Sequence, residues 1–140
     1  MTRLVVDASV AIKWFVPEVH SIAAVRLLES DVSFSAPDLI LPELGNALWK
    51  RVRRGEMTAG NASEIISALE KIGIEISPST SLLPSALELA YALDRTVYDC
   101  LYLSLAIARD CPMVTADGKF HSAVNASRLA SHIVWIEDVS

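Results

Sequence analysis

Cysteine is nearly absent from this sequence: Cys100 and Cys111 are the only two in 140 residues. Neither their number nor their spacing offers a disulfide framework or a zinc site, so both read as small core residues. Long uncharged stretches are missing as well. The longest run free of Asp, Glu, Lys, Arg and His is Ile76 to Leu87, which Ser and Pro interrupt, and Asp7 breaks the N-terminal apolar stretch. We therefore expect no membrane span, no secretory leader and a cytoplasmic address. Internal repeats, low-complexity tracts and linkers are lacking too. Histidine is limited to His20, His121 and His132, at no ligand-like spacing. What is present is apolar: 52% of the chain, enough for a folded core in one domain spanning residues 1–140.

Along the chain the apolar period alternates between strand and helix. Leu4-Val5-Val6 is a short branched run that ends in Asp7, and Ser9 to Phe15 follows as a helix. Ser21 is a candidate N-cap for a helix through Glu29, and Val32 to Ala36 is a second strand closed by Pro37. Leu44, Leu48 and Val52 then mark a helix, with Pro42 in or before its first turn, that stops at Gly55. From Thr58, the residues Ala62, Ile65, Ile66, Leu69 and Ile72 make one apolar helical face. Ile74 to Ile76 predicts a third strand, Ser81 to Leu93 and Val97 to Arg109 two helices, and Pro112 to Thr115 a fourth strand. A last helix over about Lys119 to Ala130 precedes a fifth strand at Ile133 to Ile136. Alternating strands and helices favour a parallel α/β sheet sandwiched between helices, because parallel neighbours need crossover connections.

Four carboxylates fall at element ends. Asp7 closes the first strand and Asp117 follows the fourth, so both emerge at one edge of a parallel sheet, where open α/β sheets bind ligands. Asp99 opens a helix that is apolar nearly all round, and there it faces either a cleft or a capping partner. Glu43 and Asn46 are three apart beside the apolar stripe of their helix. Each acid also has a plainer reading. Asp7 and Asp99 would serve as helix caps, Asp117-Gly118 as turn chemistry, and Glu43 as a solvated helix residue. Taken together the four favour convergence around a cation, since like charges gathered at a sheet edge oppose folding unless neutralised.

Val5-Val6-Asp7-Ala8-Ser9, Leu41-Pro42-Glu43-Leu44-Gly45-Asn46-Ala47-Leu48, the Tyr98 to Ala106 stretch and Val114 to Phe120 resemble the four acidic motifs of PIN domains. Their order and spacing are similar to those of small bacterial and archaeal VapC-type toxins, and the resemblance spans the whole chain. It implies a single PIN domain over residues 1–140. The implied fold is a three-layer α/β/α sandwich whose five-stranded parallel sheet has order 3-2-1-4-5, with the Asp7 strand in the middle. The implied activity is metal-dependent ribonuclease, as the toxin of a VapBC-type toxin–antitoxin pair. In such proteins the residues matching Asp7, Glu43, Asp99 and Asp117 form the metal-binding catalytic pocket, the fourth acid being the least uniform. The resemblance also implies a homodimer and a cognate VapB-like antitoxin that obstructs the pocket. Gly45 departs from the pattern, a weak helix former where a bulkier residue would pack better.

The residue types fit that chemistry independently. Carboxylate oxygens without Cys or a well-placed His select Mg²⁺ or Mn²⁺ over zinc. Such ions activate a water for in-line attack on a phosphodiester and neutralise charge on its oxygens. Asp7 and Asp99 are assigned as direct ligands, and Glu43 and Asp117 as further ligands, direct or through water. Ser9, Asn46 and Thr115 are candidates to hydrogen-bond those carboxylates, with ordinary caps, turn hydroxyls and a helix amide as the alternative. The net charge of −5 looks wrong for an RNA-binding protein until the four acids are set apart: seventeen less four leaves thirteen against twelve Lys and Arg. Lys50, Arg51, Arg53 and Arg54 cluster at the end of the Glu43 helix, and Lys13 lies on the first. They are candidate RNA contacts, or cations placed there by the helix dipole alone. Two other readings stand beside the nuclease. A haloacid-dehalogenase-like phosphatase would want a second Asp two residues after Asp7, where this chain has Ser9. A PIN-fold binding module without catalysis would keep the fold and dispense with Asp99.

Overall fold

The structure is a computed structural model that describes residues 2–139. Strand β1 (Thr2–Val6) runs into Asp7, which caps α1 (Ala8–Ala11), and α1 tightens into a 3-10 turn over Ile12–Trp14. Helix α2 (Ser21–Glu29) leads to β2 (Val32–Pro37), and α3 (Ile40–Arg53) and α4 (Ala59–Ile72) pass before β3 (Glu75–Ser77). Helices α5 (Ser79–Leu93) and α6 (Val97–Ala108) precede β4 (Met113–Thr115), α7 (Gly118–Asn125) and β5 (Ile133–Trp135). Every pairing is parallel, as the alternation of strands and helices led us to expect, and the sheet order is β3-β2-β1-β4-β5, as the resemblance to PIN domains implied.

Burial explains the layering. Leu4, Val5 and Val6 are all buried, as are Met113, Val114 and Thr115. Successive strand residues point to opposite faces, so both faces of the central strands are covered, giving helix, sheet and helix layers. Helix α6 lies against β1, β2 and β4 and packs on α5. Its residues Cys100 to Ala106 are buried without interruption, which is why its sequence shows no polar face. Cys100 and Cys111 are buried free thiols. Trp14 closes one end of the core: its ring packs on Phe34 at 5.0 Å and its indole N–H donates to Ala24 O at 2.9 Å. No helix among the described residues is long and apolar enough to cross a membrane.

Several boundaries differ from the expectation. Ser21 is the first helical residue and not the cap, which is His20 in the left-handed region at φ 71°. The Ser21 hydroxyl instead ties the preceding loop, accepting from Glu18 N–H at 2.8 Å and donating to Val16 O at 3.1 Å. Helix α7 ends at Asn125, short of Ala130, because the Ser127 hydroxyl takes Val124 O and Leu129 N–H into a turn of its own. Strand β3 is displaced by one residue to Glu75–Ser77. The apolar face of α4 buries only Leu69 fully, and Ile66 stays exposed. Trp49 is exposed beneath the Arg53 guanidinium, 5.4 Å from its ring centre.

Candidate active site

Because β1 and β4 are parallel neighbours, their C-terminal ends open on the same edge. Asp7 sits at that edge and is only 9% exposed. Its Oδ1 accepts from the Ser9 hydroxyl at 2.6 Å and from Val10 N–H at 3.1 Å, while Oδ2 accepts from the Thr115 hydroxyl at 2.6 Å. Those hydroxyls are held in turn, since Ser9 Oγ accepts from Ala116 N–H and Thr115 Oγ1 from Asp117 N–H, both at 3.1 Å. Asp7 is therefore both the cap of α1 and the stitch between β1 and the chain leaving β4. Burial pushes its carboxyl up to about 6 against the downward pull of these hydrogen bonds, and the charge of Asp99 adds to the rise.

The other three acids arrive on helix ends. The N–H of Asp99 donates to Thr96 Oγ1 at 3.1 Å, so Thr96 caps α6 and the Asp99 carboxylate is not needed for that task. Burial raises the Asp99 carboxyl, and the neighbouring Asp117 charge raises it further. Asp117 does cap α7, its Oδ1 accepting from Lys119 and Phe120 N–H at 3.1 Å each, which leaves Oδ2 without a hydrogen bond to any described residue. Glu43, half-buried in the first turn of α3, accepts from the Tyr102 hydroxyl through Oε1 at 2.5 Å. Burial lifts the Glu43 carboxyl, the Tyr102 bond restrains it, and Asp99 lifts it again. Burial and the bond to Glu43 hold Tyr102 far above the ordinary phenol range, so it stays a donor.

Asp99 is the hub of the group. Its charge raises Asp7 and Glu43, and Asp117 raises it. Such coupling is what acids on neighbouring elements exert on one another, and the bonds Thr115 makes to Asp7 and to the N–H of Asp117 tie two of them at the end of the β1 and β4 pair. Among the described residues no three Asp, Glu, His or Cys side chains close into a ready-made metal cage. Magnesium does not require one: it dehydrates reluctantly and is commonly held by one or two carboxylates and its own waters. The raised carboxyls of Asp7, Glu43 and Asp99, with the carboxylate oxygens of Asp117 as further hard donors, fit a hydrated divalent cation.

The structure sorts the remaining candidates. Ser9 and Thr115 touch Asp7 as described, whereas Asn46 is exposed and forms no hydrogen bond with the four acids. Arg51 is engaged by Glu18 and, at 3.3 Å, by Glu56, and Lys13 donates to Glu18 at 3.0 Å. Lys50, Arg53 and Arg54 are exposed at the far end of α3. Sequence reasoning missed Tyr102, which it absorbed into the apolar helix. The available signal was its spacing, three residues after Asp99 and therefore near the same helical face.

Comparison with known proteins bears on the family and the fold. The family model of the PIN domain matches residues 4–125. Ribonuclease VapC3 of Pyrobaculum aerophilum is 32% identical over 117 residues, 82% of this chain and 89% of the relative. Ribonuclease VapC1 of Mycobacterium tuberculosis is 30% identical over 125 residues, covering 88% and 92%. Among solved structures, VapBC2 from Rickettsia felis bound to a DNA fragment from its promoter superposes with a TM-score of 0.65 at 14% identity, covering 96% of this chain and 98% of that one. With its motifs, strand order and length of match in agreement, the chain belongs to the PIN domain family.

Proposed function

We propose that this chain is a divalent-metal-dependent endoribonuclease, the toxin of a VapBC-type toxin–antitoxin pair, working in the cytoplasm as one PIN domain. The observation that carries the proposal is the bonded network at the C-terminal edge of the sheet, where Thr115 bonds Asp7 and the N–H of Asp117 while Tyr102, on the helix that carries Asp99, bonds Glu43. The names of the similar VapC ribonucleases support RNA as substrate. When bound, Mg²⁺ or Mn²⁺ supplies an activated water and neutralises charge on phosphate oxygens. Asp7 and Asp99 would hold the ion directly, with Glu43 and Asp117 completing the set directly or through water. Ser9 and Thr115 fix both oxygens of Asp7, and Tyr102 fixes one oxygen of Glu43, so these carboxylates need little rearrangement when substrate arrives. A VapB-like antitoxin and a second copy of the chain complete the reading as partners. The former is supported by the similarity to VapBC2, and both by exposed apolar side chains such as Leu83, Leu87 and Tyr91 along α5.

The test is to incubate antitoxin-free protein with a mixed pool of structured RNAs in Mg²⁺, Mn²⁺ or EDTA, beside Asp99→Asn prepared identically. Discrete products that need metal and vanish in the variant are expected. Equal cleavage by both proteins would sink the site assignment. Unchanged RNA with intact partner binding in both would favour the non-catalytic binding module.

A further inference from the structure

Arg95 stands in the short turn between α5 and α6, one residue before the cap of the helix that carries Asp99. Its backbone is pinned on both sides. Asp94 before it ends α5 in the left-handed region at φ 52°, Arg95 N–H donates to Ala90 O at 3.3 Å, and Thr96 after it caps α6. The side chain is not pinned. Its Nε is buried and has no hydrogen-bond partner, and no ion pair joins its guanidinium to another described residue. Three other arginines are engaged: Arg51 by Glu18 and Glu56, Arg109 by Glu75 at 2.5 Å and by Ser77 at 3.3 Å, and Arg53 by the Trp49 ring.

A buried donor without a partner is unfavourable, and folded proteins rarely retain one without a reason. Asp99 lies in the first turn of α6, four residues after Arg95, and the Arg95 charge acts on it without an ion pair between the two. The chemistry that suits such a position is a tetrahedral oxyanion. A guanidinium offers a planar fork of N–H donors matched to two phosphate oxygens, and its charge persists at any working pH. We propose that Arg95 is the phosphate-binding arginine of this site, turning its fork onto the non-bridging oxygens of an RNA phosphate seated at Asp99. The inference rests on the ribonuclease reading and adds to it a substrate contact that no carboxylate provides. It also accounts for the net negative pocket, since a phosphate approaching four acids needs a cation of the protein's own beside any bound metal.

The experiment compares the parent, Arg95→Met and Arg95→Lys on the structured RNA pool in Mg²⁺, with melting temperatures measured on the same preparations. Arg95→Met is expected to lower kcat/KM roughly 10- to 100-fold, the range for losing a charged hydrogen-bonding contact. Its melting temperature should match the parent, because no bond to the rest of the fold is lost. Added guanidinium at millimolar concentration should return part of the rate, and Arg95→Lys should recover only a fraction, having charge without the fork. Cleavage by Arg95→Met at the parent rate overturns the inference alone. A loss of rate that tracks a lower melting temperature and ignores added guanidinium also overturns it, in favour of a packing role. A parent that cleaves nothing overturns the ribonuclease reading and this inference with it.

Discussion

The Tyr102 hydroxyl donates to Glu43 Oε1 at 2.5 Å, joining α6 to α3 across 59 residues of chain. Tyr102 is 2% exposed, so the bond runs from the core outward to the acidic edge. It holds Glu43 down while burial and Asp99 push it up. Tyr102→Phe should therefore raise the Glu43 carboxyl further and shift the acid limb of the pH–rate profile for RNA cleavage to higher pH. Stability should fall by about 1–2 kcal/mol in urea unfolding, the cost of leaving a partly buried acceptor unpaired. An unmoved acid limb would show that Glu43 is not in the reacting group.

The raised carboxyl of Asp7 makes stability depend on pH. Its folded value of about 6 lies above the unfolded 3.8, so the native state binds this proton more tightly. The contribution is neutral below about 3.8, grows increasingly unfavourable as pH rises from there to about 6, and levels off above it at on the order of 3 kcal/mol. Asp7→Asn removes that dependence. In metal-free buffer, the stability of Asp7→Asn relative to the parent should decline as pH is lowered from 7 to 4, read by urea unfolding at each pH. A difference constant with pH would show that Asp7 is not raised.

Thr115 is fully buried and serves two partners, Asp7 Oδ2 and Asp117 N–H. Thr115→Val keeps the shape and deletes both bonds. The expected loss at pH 8 is about 2–3 kcal/mol, since one bond is to a charged carboxylate and two groups lose their partner. The Asp7 carboxyl should rise above about 6, because the Thr115 bond holds it down. Carboxylate titration by NMR would detect it.

Asp99 raises both Asp7 and Glu43, so Asp99→Asn should lower both carboxyls while abolishing RNA cleavage. The parent should gain melting temperature on adding Mn²⁺, and the variant should gain little. An equal gain in both would remove Asp99 from the ion-binding set.

Gly45 lies within α3, and a Cβ placed on it would meet no atom within 4 Å. Gly45→Ala should therefore stabilise the protein by about 0.5–1 kcal/mol, through the unfolded state and helix propensity alone. Thermal unfolding would read this as a small upward shift, and a downward one would imply that a partner needs close approach there.

Much of this architecture is legible along the chain. The switch of apolar period from strand to helix marks every strand, and α6 is recognisable as buried because it has no polar face. Boundaries failed where a side chain chose a different bond: Ser21 ties a loop where a cap was expected, and Ser127 ends α7 early. Those choices depend on which acceptor lies near in space, and propensity does not contain that information.

The sequence by itself determined the alternation of strands and helices and put four acids at element ends, because both are local properties of the chain. Only the tertiary structure decided how those acids are held. Asp7 meets Thr115 across a parallel strand pair, and Glu43 meets Tyr102 across two helices, contacts between residues 108 and 59 positions apart. The same packing leaves the Arg95 Nε buried without a partner, four residues before Asp99. Hydrogen bonds and desolvation act between neighbours in space, so the pKa of an acid and the freedom of a cation are set only when the core closes around them.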